Sequence, residues 1–349
     1  MKLFFRIFQV CIVILLCGGC GREMPVARNY VDTAMGTVIR LGLYCAQEEA
    51  ADNFVHKVME LLENLEQESL SWRSETSEVY GINSGAGSAE GVLLTEELAA
   101  LLRECMELSE ASEGAFDVTI GALTGLWNMD QLAAGMEADE IQLPSEEMVA
   151  RALRRCGYEA VRLERGQDGE ERIYLPEGMA IDLGACGKGY ALTKILPLLD
   201  MEPEITGAVV AVGGSVLTYG VKPDGTSWKV GITDPFDAAS FIGTLSLDGQ
   251  WCVSTSGDYE RYVEVDGVRY HHILDAGTGY PARSGVRSVT VLSRDGLAGD
   301  SLSTACFVLG PEKGMELAAS YGAETLFVMW DGELILSEGM KEYWTGKMG

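Results

Sequence analysis

IDLGACGKGYALTKI, residues 181–195, reads as a short apolar strand ending at Asp182, a glycine-rich turn, and a helix opening at Lys188. Such a turn aims backbone N–H groups and the positive end of a helix at an anion, and Lys188 adds a point charge. It is not a Walker A loop, because Gly184 and Gly187 stand too close together and no Ser or Thr follows Lys188. A plain strand-to-helix turn carrying a surface lysine fits the same letters.

The neighbouring segments define the fold class. Phe54, Val58, Leu61 and Leu65 recur at helical spacing between Glu48 and Gln67, and a second amphipathic helix from Thr95 to Ser112 opens on a Thr cap. A third, shorter helix follows Pro144 and Ser145 and stops at Gly157, after an inserted loop from Asn128 to Leu143. Downstream the chain turns β-rich. Alternating runs flank Gln167-Asp168-Gly169, Asp266-Gly267 and Asp331-Gly332, three hairpin signals, and a further helix starts near Asp300. Strands and helices are mixed without regular βαβ alternation, so the expectation is an α+β fold, a single compact body of mixed sheets with packed helices.

The first residues are set apart from that body. Lys2 and Arg6 precede an apolar run from Ile7 to Leu16 and then small residues before Cys20, which predicts an export signal over residues 1–19. The Cys-Gly-Gly-Cys ending resembles a bacterial lipoprotein box with Cys20 lipidated, although Cys17 stands where such boxes usually carry Leu. A short tether, 20–28, then leads into a domain spanning 29–345. The expected location is the extracytoplasmic side of the cell membrane, lipid-anchored. A net charge of -27 repels nucleic acid and anionic lipid. Six cysteines outside the export segment are scattered singly in apolar contexts, which predicts buried free thiols.

Three further stretches carry candidate chemistry. Asp117 lies inside the apolar run GAFDVTIGALTGLW, where a carboxylate needs a donor; a ligand or a local turn onto Thr119 would supply one. Trp72 offers a stacking face or a core plug. HHILDAGTGYP holds two of only three histidines; adjacent strand residues face opposite ways, and His272, nearer the turn, is the candidate base. In AGDSLSTACFVLG, residues 298–310, Ser301 mimics an esterase nucleophile box, but no His follows His272 and the order of that hydrolase family fails. Asp300 and Thr304, four residues apart on one helix face, read either as one side of a metal site or as a merely capped helix start.

AMGT (34–37), SEVYGIN (77–83), GAFDVT (114–119), IDLGACGKGYA (181–191), AVGG (211–214), HHILDAGTGYP (271–281) and GDSLSTACFVLG occur in one order across nearly all of the mature chain. In this the chain resembles the FAD:protein FMN transferases, the ApbE-type flavin transferases. The resemblance implies a T-fold-like body and an Mg²⁺-dependent transfer of the FMN moiety of FAD to a Thr or Ser hydroxyl of an exported acceptor flavoprotein, releasing AMP. It implies FAD contacts from Met35, Trp72, Ala115, Phe116, Asp117, Asp182, Lys188 and Ile273. It also implies Mg²⁺ held by the Ala185 carbonyl with Asp300 and Thr304, and catalytic roles for His272, Lys188 and Asp300. Trp72 stands where relatives often have Tyr, and Ala276 where they often have Pro. Two alternatives use the same residues: an Mg²⁺-dependent FAD pyrophosphatase yielding FMN and AMP, and a lipoprotein that only binds FAD.

Overall fold

The computed structural model of the chain describes residues 24–133 and 142–346. The export segment, Cys20 and the middle of the inserted loop lie outside them. The chain enters as a hairpin, β1 (Val26–Ala34) and β2 (Thr37–Cys45), closed by Met35 and Gly36 at φ 52° and 66°. Two left-handed residues give the turn whose twist matches its strands. Met35 lacks glycine's freedom there, and its N–H is held by Glu66 Oε2 at 2.7 Å. Glu66 belongs to a π-helical segment, Leu65–Leu70, that continues α1 (Glu48–Asn64). Next come α2 (Glu78–Ser84), β3 (Val92–Leu94), α3 (Glu96–Ala111), α4 (Gly121–Trp127), α5 (Met129–Ala133) and α6 (Glu146–Leu153). The hairpin β4 (Arg162–Arg165) and β5 (Glu171–Tyr174) pairs with β3, and α7 (Gly187–Asp200) follows.

The second half supplies most strands: β6 (Ile205–Val212), β7 (Ser215–Gly220), β8 (Trp228–Asp234), β9 (Asp237–Leu247), β10 (Trp251–Gly257), β11 (Tyr262–Val265) and β12 (Val268–His271). It closes with β13 (Val286–Ser293), α8 (Gly296–Leu309), α9 (Pro311–Ser320), β14 (Glu324–Met329), β15 (Leu334–Leu336), α10 (Met340–Tyr343) and β16 (Trp344–Gly346). An eight-stranded sheet in the order β1-β2-β6-β7-β10-β13-β14-β15 forms the spine, antiparallel at every step. The main core, with Leu192, Ile195, Leu302 and Phe307 from α7 and α8, covers one face. A second core of Trp228, Ile232, Leu245 and Met340 covers the other, beneath the β16-β9-β8 sheet and α10. Every residue of β13 is buried, as befits a strand covered on both faces.

The α+β class and all three Asp-Gly hairpins stand as expected. Several boundaries moved. The first α-helix gives way to π geometry after Asn64, the third ends at Leu153, and a short helix occupies Met129–Ala133 where a loop was expected. Ile181 and Asp182 are not in a sheet strand; Ala180 makes one isolated bridge to Ile120. The reason is local: Asn83 satisfies both the N–H and the carbonyl of Ile181, at 2.7 and 2.9 Å, and Val118 O accepts from Asp182 N. Asp300 is also not at a helix head. Asp295 caps α8 by accepting from Ala298 N at 2.8 Å, which puts Asp300 in the second turn. The six described cysteines are free thiols, five of them buried.

Helices α7 and α8 cross at two glycines. A Cβ on Gly189 would overlap the Gly296 carbonyl and Asp300 Cβ, and one on Gly296 would overlap the Gly189 carbonyl. Gly189→Ala should therefore destabilise the fold by about 1–3 kcal/mol in a denaturant titration, since backbone cannot yield as a side chain can. Gly81→Ala, at an exposed position of α2 with nothing within 4 Å, should leave stability unchanged or raise it by about 0.5–1 kcal/mol.

Candidate active site

The closeness of that crossing assembles the site. With no side chain at Gly189, its N–H reaches Asp300 Oδ2 at 2.8 Å, and Ser215 Oγ donates to Oδ1 at 3.0 Å. Asp300 is 4% exposed. Both donors are neutral, and each carboxylate oxygen keeps lone-pair capacity for a cation. One turn on, Thr304 Oγ1 lies 3.5 Å from Ser256 Oγ, which also meets Ser303 Oγ at 2.7 Å. Ser301 is buried and absent from the cavity lining, so the esterase-like serine has no access to a substrate there.

Across from Asp300, the Leu183–Cys186 turn leads into α7. Asp182 shapes it by accepting from Gly184 N at 2.8 Å, and Lys188 Nζ lies 3.5 Å from Gly184 O. The turn separates two adjoining cavities. The first, about 150 Å³, is lined by Trp72, Asp182, Ala185, Lys188, His272, Ile273, Asp300 and Thr304 among others. The second, about 670 Å³, is lined by Met35, Thr37, Gln67, Gly187, Gly213 and Gly214 among others. Trp72, Asp182, Gly184 and Lys188 border both. The result is a site of two lobes that share Lys188, beside the N-terminus of α7.

The donor set fits a hard divalent cation. One buried carboxylate, one hydroxyl and one backbone carbonyl at Ala185 leave positions for retained water, as Mg²⁺ prefers. No cluster of three or more His, Cys, Asp or Glu suited to a metal occurs among the described residues.

The two histidines divide where β12 ends: His271 is its last residue and is buried, and His272 lies just beyond it. His272 lines the first cavity; its Nδ1 faces Arg261 O at 3.3 Å. A carbonyl only accepts, so Nδ1 carries the proton and Nε2 keeps a free lone pair. Burial, reinforced by Arg261, His271 and Lys188, pushes its pKa well below the usual 6.5, so the ring is neutral and competent as a base at neutral pH. His271 points into the core against Phe307, with ring centroids 5.4 Å apart. It has the opposite tautomer: Nε2–H donates to Ala282 O at 3.1 Å and Nδ1 accepts from Ile273 N at 3.3 Å.

Ala115, Phe116 and Asp117 stand apart from both cavity linings. Phe116 is core, and Asp117 accepts from Thr119 N at 2.7 Å and Tyr158 N at 3.1 Å. The local turn is the role the geometry gives Asp117. Burial raises its pKa against those bonds. Its loop buttresses the site indirectly, through the Val118–Asp182 hydrogen bond.

Other participants were not singled out from sequence. Glu260 and Arg261 border both cavities. Crowding by the cavity walls raises the Glu260 pKa although the side chain is open to solvent, while Lys188 and Arg261 draw it down. A charged pair just past Gly257, where an apolar strand ends, was the available signal. Asn83 stood only as the last residue of the SEVYGIN run with no role attached, and Ser215 carried no signal, since their partners are distant in sequence.

Burial lowers the His271 pKa to about 4, so between the unfolded value near 6.5 and about 4 the unfolded chain binds a proton that the folded chain refuses. Stability should fall as pH drops through that window, by up to about 3 kcal/mol. Denaturant midpoints measured across it should show the slope, and His271→Gln should flatten it.

A profile of the ApbE family matches residues 35–327. Two relatives named FAD:protein FMN transferase are similar over most of their length. One from Treponema pallidum is 34% identical, covering 94% of this chain and 92% of its own. One from Vibrio cholerae is 30% identical, covering 95% and 94%. Among solved structures, an ApbE protein from Thermotoga maritima superposes with a TM-score of 0.80 at 33% identity, covering 92% of this chain and 100% of its own. The apo flavinyl transferase ApbE of Pseudomonas stutzeri gives 0.77 at 28%, covering 93% and 99%.

Proposed function

The chain belongs to the ApbE family, and from that we propose that it is a flavin transferase that moves the FMN moiety of FAD onto a Thr or Ser hydroxyl of an exported acceptor flavoprotein and releases AMP. The observation that carries this is the pair of adjoining cavities that share Lys188, beside the N-terminus of α7. A dinucleotide has two bulky halves joined by a diphosphate, and a lysine at a helix N-terminus between two cavities is where a diphosphate is best received.

The residues then take definite tasks. Lys188 and the N–H groups opening α7 hold diphosphate charge. His272 Nε2 accepts the proton of the acceptor hydroxyl as its oxygen attacks the phosphorus on the riboflavin side and the bond to AMP breaks. Trp72 supplies a ring face beside the junction. Asp300, Thr304 and the Ala185 carbonyl would hold Mg²⁺, which neutralises phosphate charge and polarises the phosphorus when bound. Arg261 fixes the His272 tautomer through its carbonyl. Lipidation at Cys20 would keep the enzyme on the extracytoplasmic membrane face, where an exported acceptor is found.

Incubating the protein with FAD, Mg²⁺ and an exported flavoprotein should add one FMN to the acceptor's mass. Free FMN with an unmodified acceptor would instead indicate the pyrophosphatase, and intact FAD a binding protein. His272→Ala should slow transfer by about 10²-fold or more while FAD still binds. Asp300→Ala should cost orders of magnitude, the scale of several kcal/mol of lost charge stabilisation. Near-normal transfer by Asp300→Ala would remove the metal assignment.

A further inference from the structure

Met35 holds a backbone conformation that its side chain disfavours, and one carboxylate keeps it there. The β1–β2 turn uses two left-handed residues, of which only the second is glycine: Met35 stands at φ 52° and Gly36 at 66°. A non-glycine residue in that region is strained and persists where its surroundings over-determine it. The strand ladder ends at the Ala34–Thr37 pair, so the Met35 N–H has no strand partner. Glu66 Oε2 accepts it at 2.7 Å.

The helix that carries Glu66 is shaped to present it. Leu65 and Leu70, five residues apart, are both buried. An α-helix would turn them to different faces, whereas the i→i+5 pattern of the π segment stacks them on one. Glu66, half-buried between them, lines the second cavity with Gln67.

The turn so held closes on the anion-receiving groups. A Cβ on Gly187, the first residue of α7, would lie 3.8 Å from Met35 Cε and 3.7 Å from Leu70 Cδ1. One on Gly213 would meet Thr37 Oγ1 at 2.7 Å and Lys188 Cδ at 3.4 Å. The turn therefore packs against the N-terminus of α7 through Met35, and through Thr37 it shares a neighbour with Lys188. Met35, Gly36, Thr37 and Glu66 line the second cavity. They stand outside the lining of the first, which holds His272, Asp300 and Thr304.

We propose that Glu66 is a positioning residue for the dinucleotide: its carboxylate keeps the Met35 turn closed against the N-terminus of α7, which sets how tightly FAD binds and leaves the transfer step alone. The proposal takes its ligand from the flavin-transferase reading, and its main test needs no acceptor. A carboxylate that merely repelled the diphosphate would give tighter binding when removed; one that positions the turn gives weaker binding.

FAD is titrated against the protein in Mg²⁺ and followed by flavin fluorescence. Glu66→Asp keeps the charge but withdraws the oxygen, and should weaken FAD affinity about 5–10-fold, the size of one lost hydrogen bond to a charged group. Glu66→Gln keeps an acceptor oxygen at the same reach and should stay within about 3-fold of wild type. In a Met35→Gly background, where the left-handed turn is unstrained, Glu66→Asp should cost less than about 2-fold, a coupling that locates the effect in the turn. With an acceptor present, Glu66→Asp should raise KM for FAD and leave kcat within about 2-fold. Tighter FAD binding by Glu66→Gln, an undiminished loss in the Met35→Gly background, or a fall in kcat at unchanged KM overturns the proposal. A wild-type protein that binds no FAD overturns it together with the transferase reading. The expected pattern of affinities in a protein that never adds FMN to an acceptor keeps Glu66 in its role and removes the transferase reading alone.

Discussion

The contact on which the rest depends is the crossing of α7 and α8 at Gly189 and Gly296. Without a side chain at either position the two backbones meet directly, and a main-chain N–H rather than a side chain becomes the partner of a buried carboxylate. That exchange orients Asp300 toward the cavity and sets the α7 N-terminus opposite α8. Asp300 and the N-terminus of α7 thus face each other because neither glycine carries a β-carbon. The eight-stranded sheet supplies the platform beneath, with Ser215 at the start of β7 holding the second oxygen of the same carboxylate.

The polar inventory is arranged around that contact in layers. Asn83 fastens Ile181, Val118 fastens Asp182, and Asp182 in turn shapes the glycine turn that carries Ala185 and Lys188. Each of these uses a backbone group that a sheet would otherwise have satisfied. The segment before α7 is consequently irregular where a regular strand would have been simpler, and the irregularity lets Asp182 and Gly184 border both lobes. The loop 114–119 belongs to this supporting layer through Val118.

What could be read from the sequence was what depends on near neighbours. Asp-Gly pairs between alternating runs gave the hairpins, Thr95 gave the start of α3, and the four-residue spacing of Asp300 and Thr304 gave their shared face. The expected division of His271 from His272 stands, although β12 ends at His271 and only the first of the pair is a strand residue. What escaped depends on distant partners. Asn83 is 98 residues from Ile181 and Ser215 is 85 from Asp300, and no periodicity encodes such meetings. The GAFDVT carboxylate was legible as an expensive buried charge, but only the structure shows that Thr119 and Tyr158 consume it.

The opening hairpin sets a distance. β1 runs from Val26 to Ala34 before the Met35 turn reaches the second cavity, and nine residues at about 3.4 Å each span about 30 Å. The cavity and the start of the first strand therefore stand at opposite ends of a single extended segment, and a change in the length of β1 would alter that separation without touching a cavity wall.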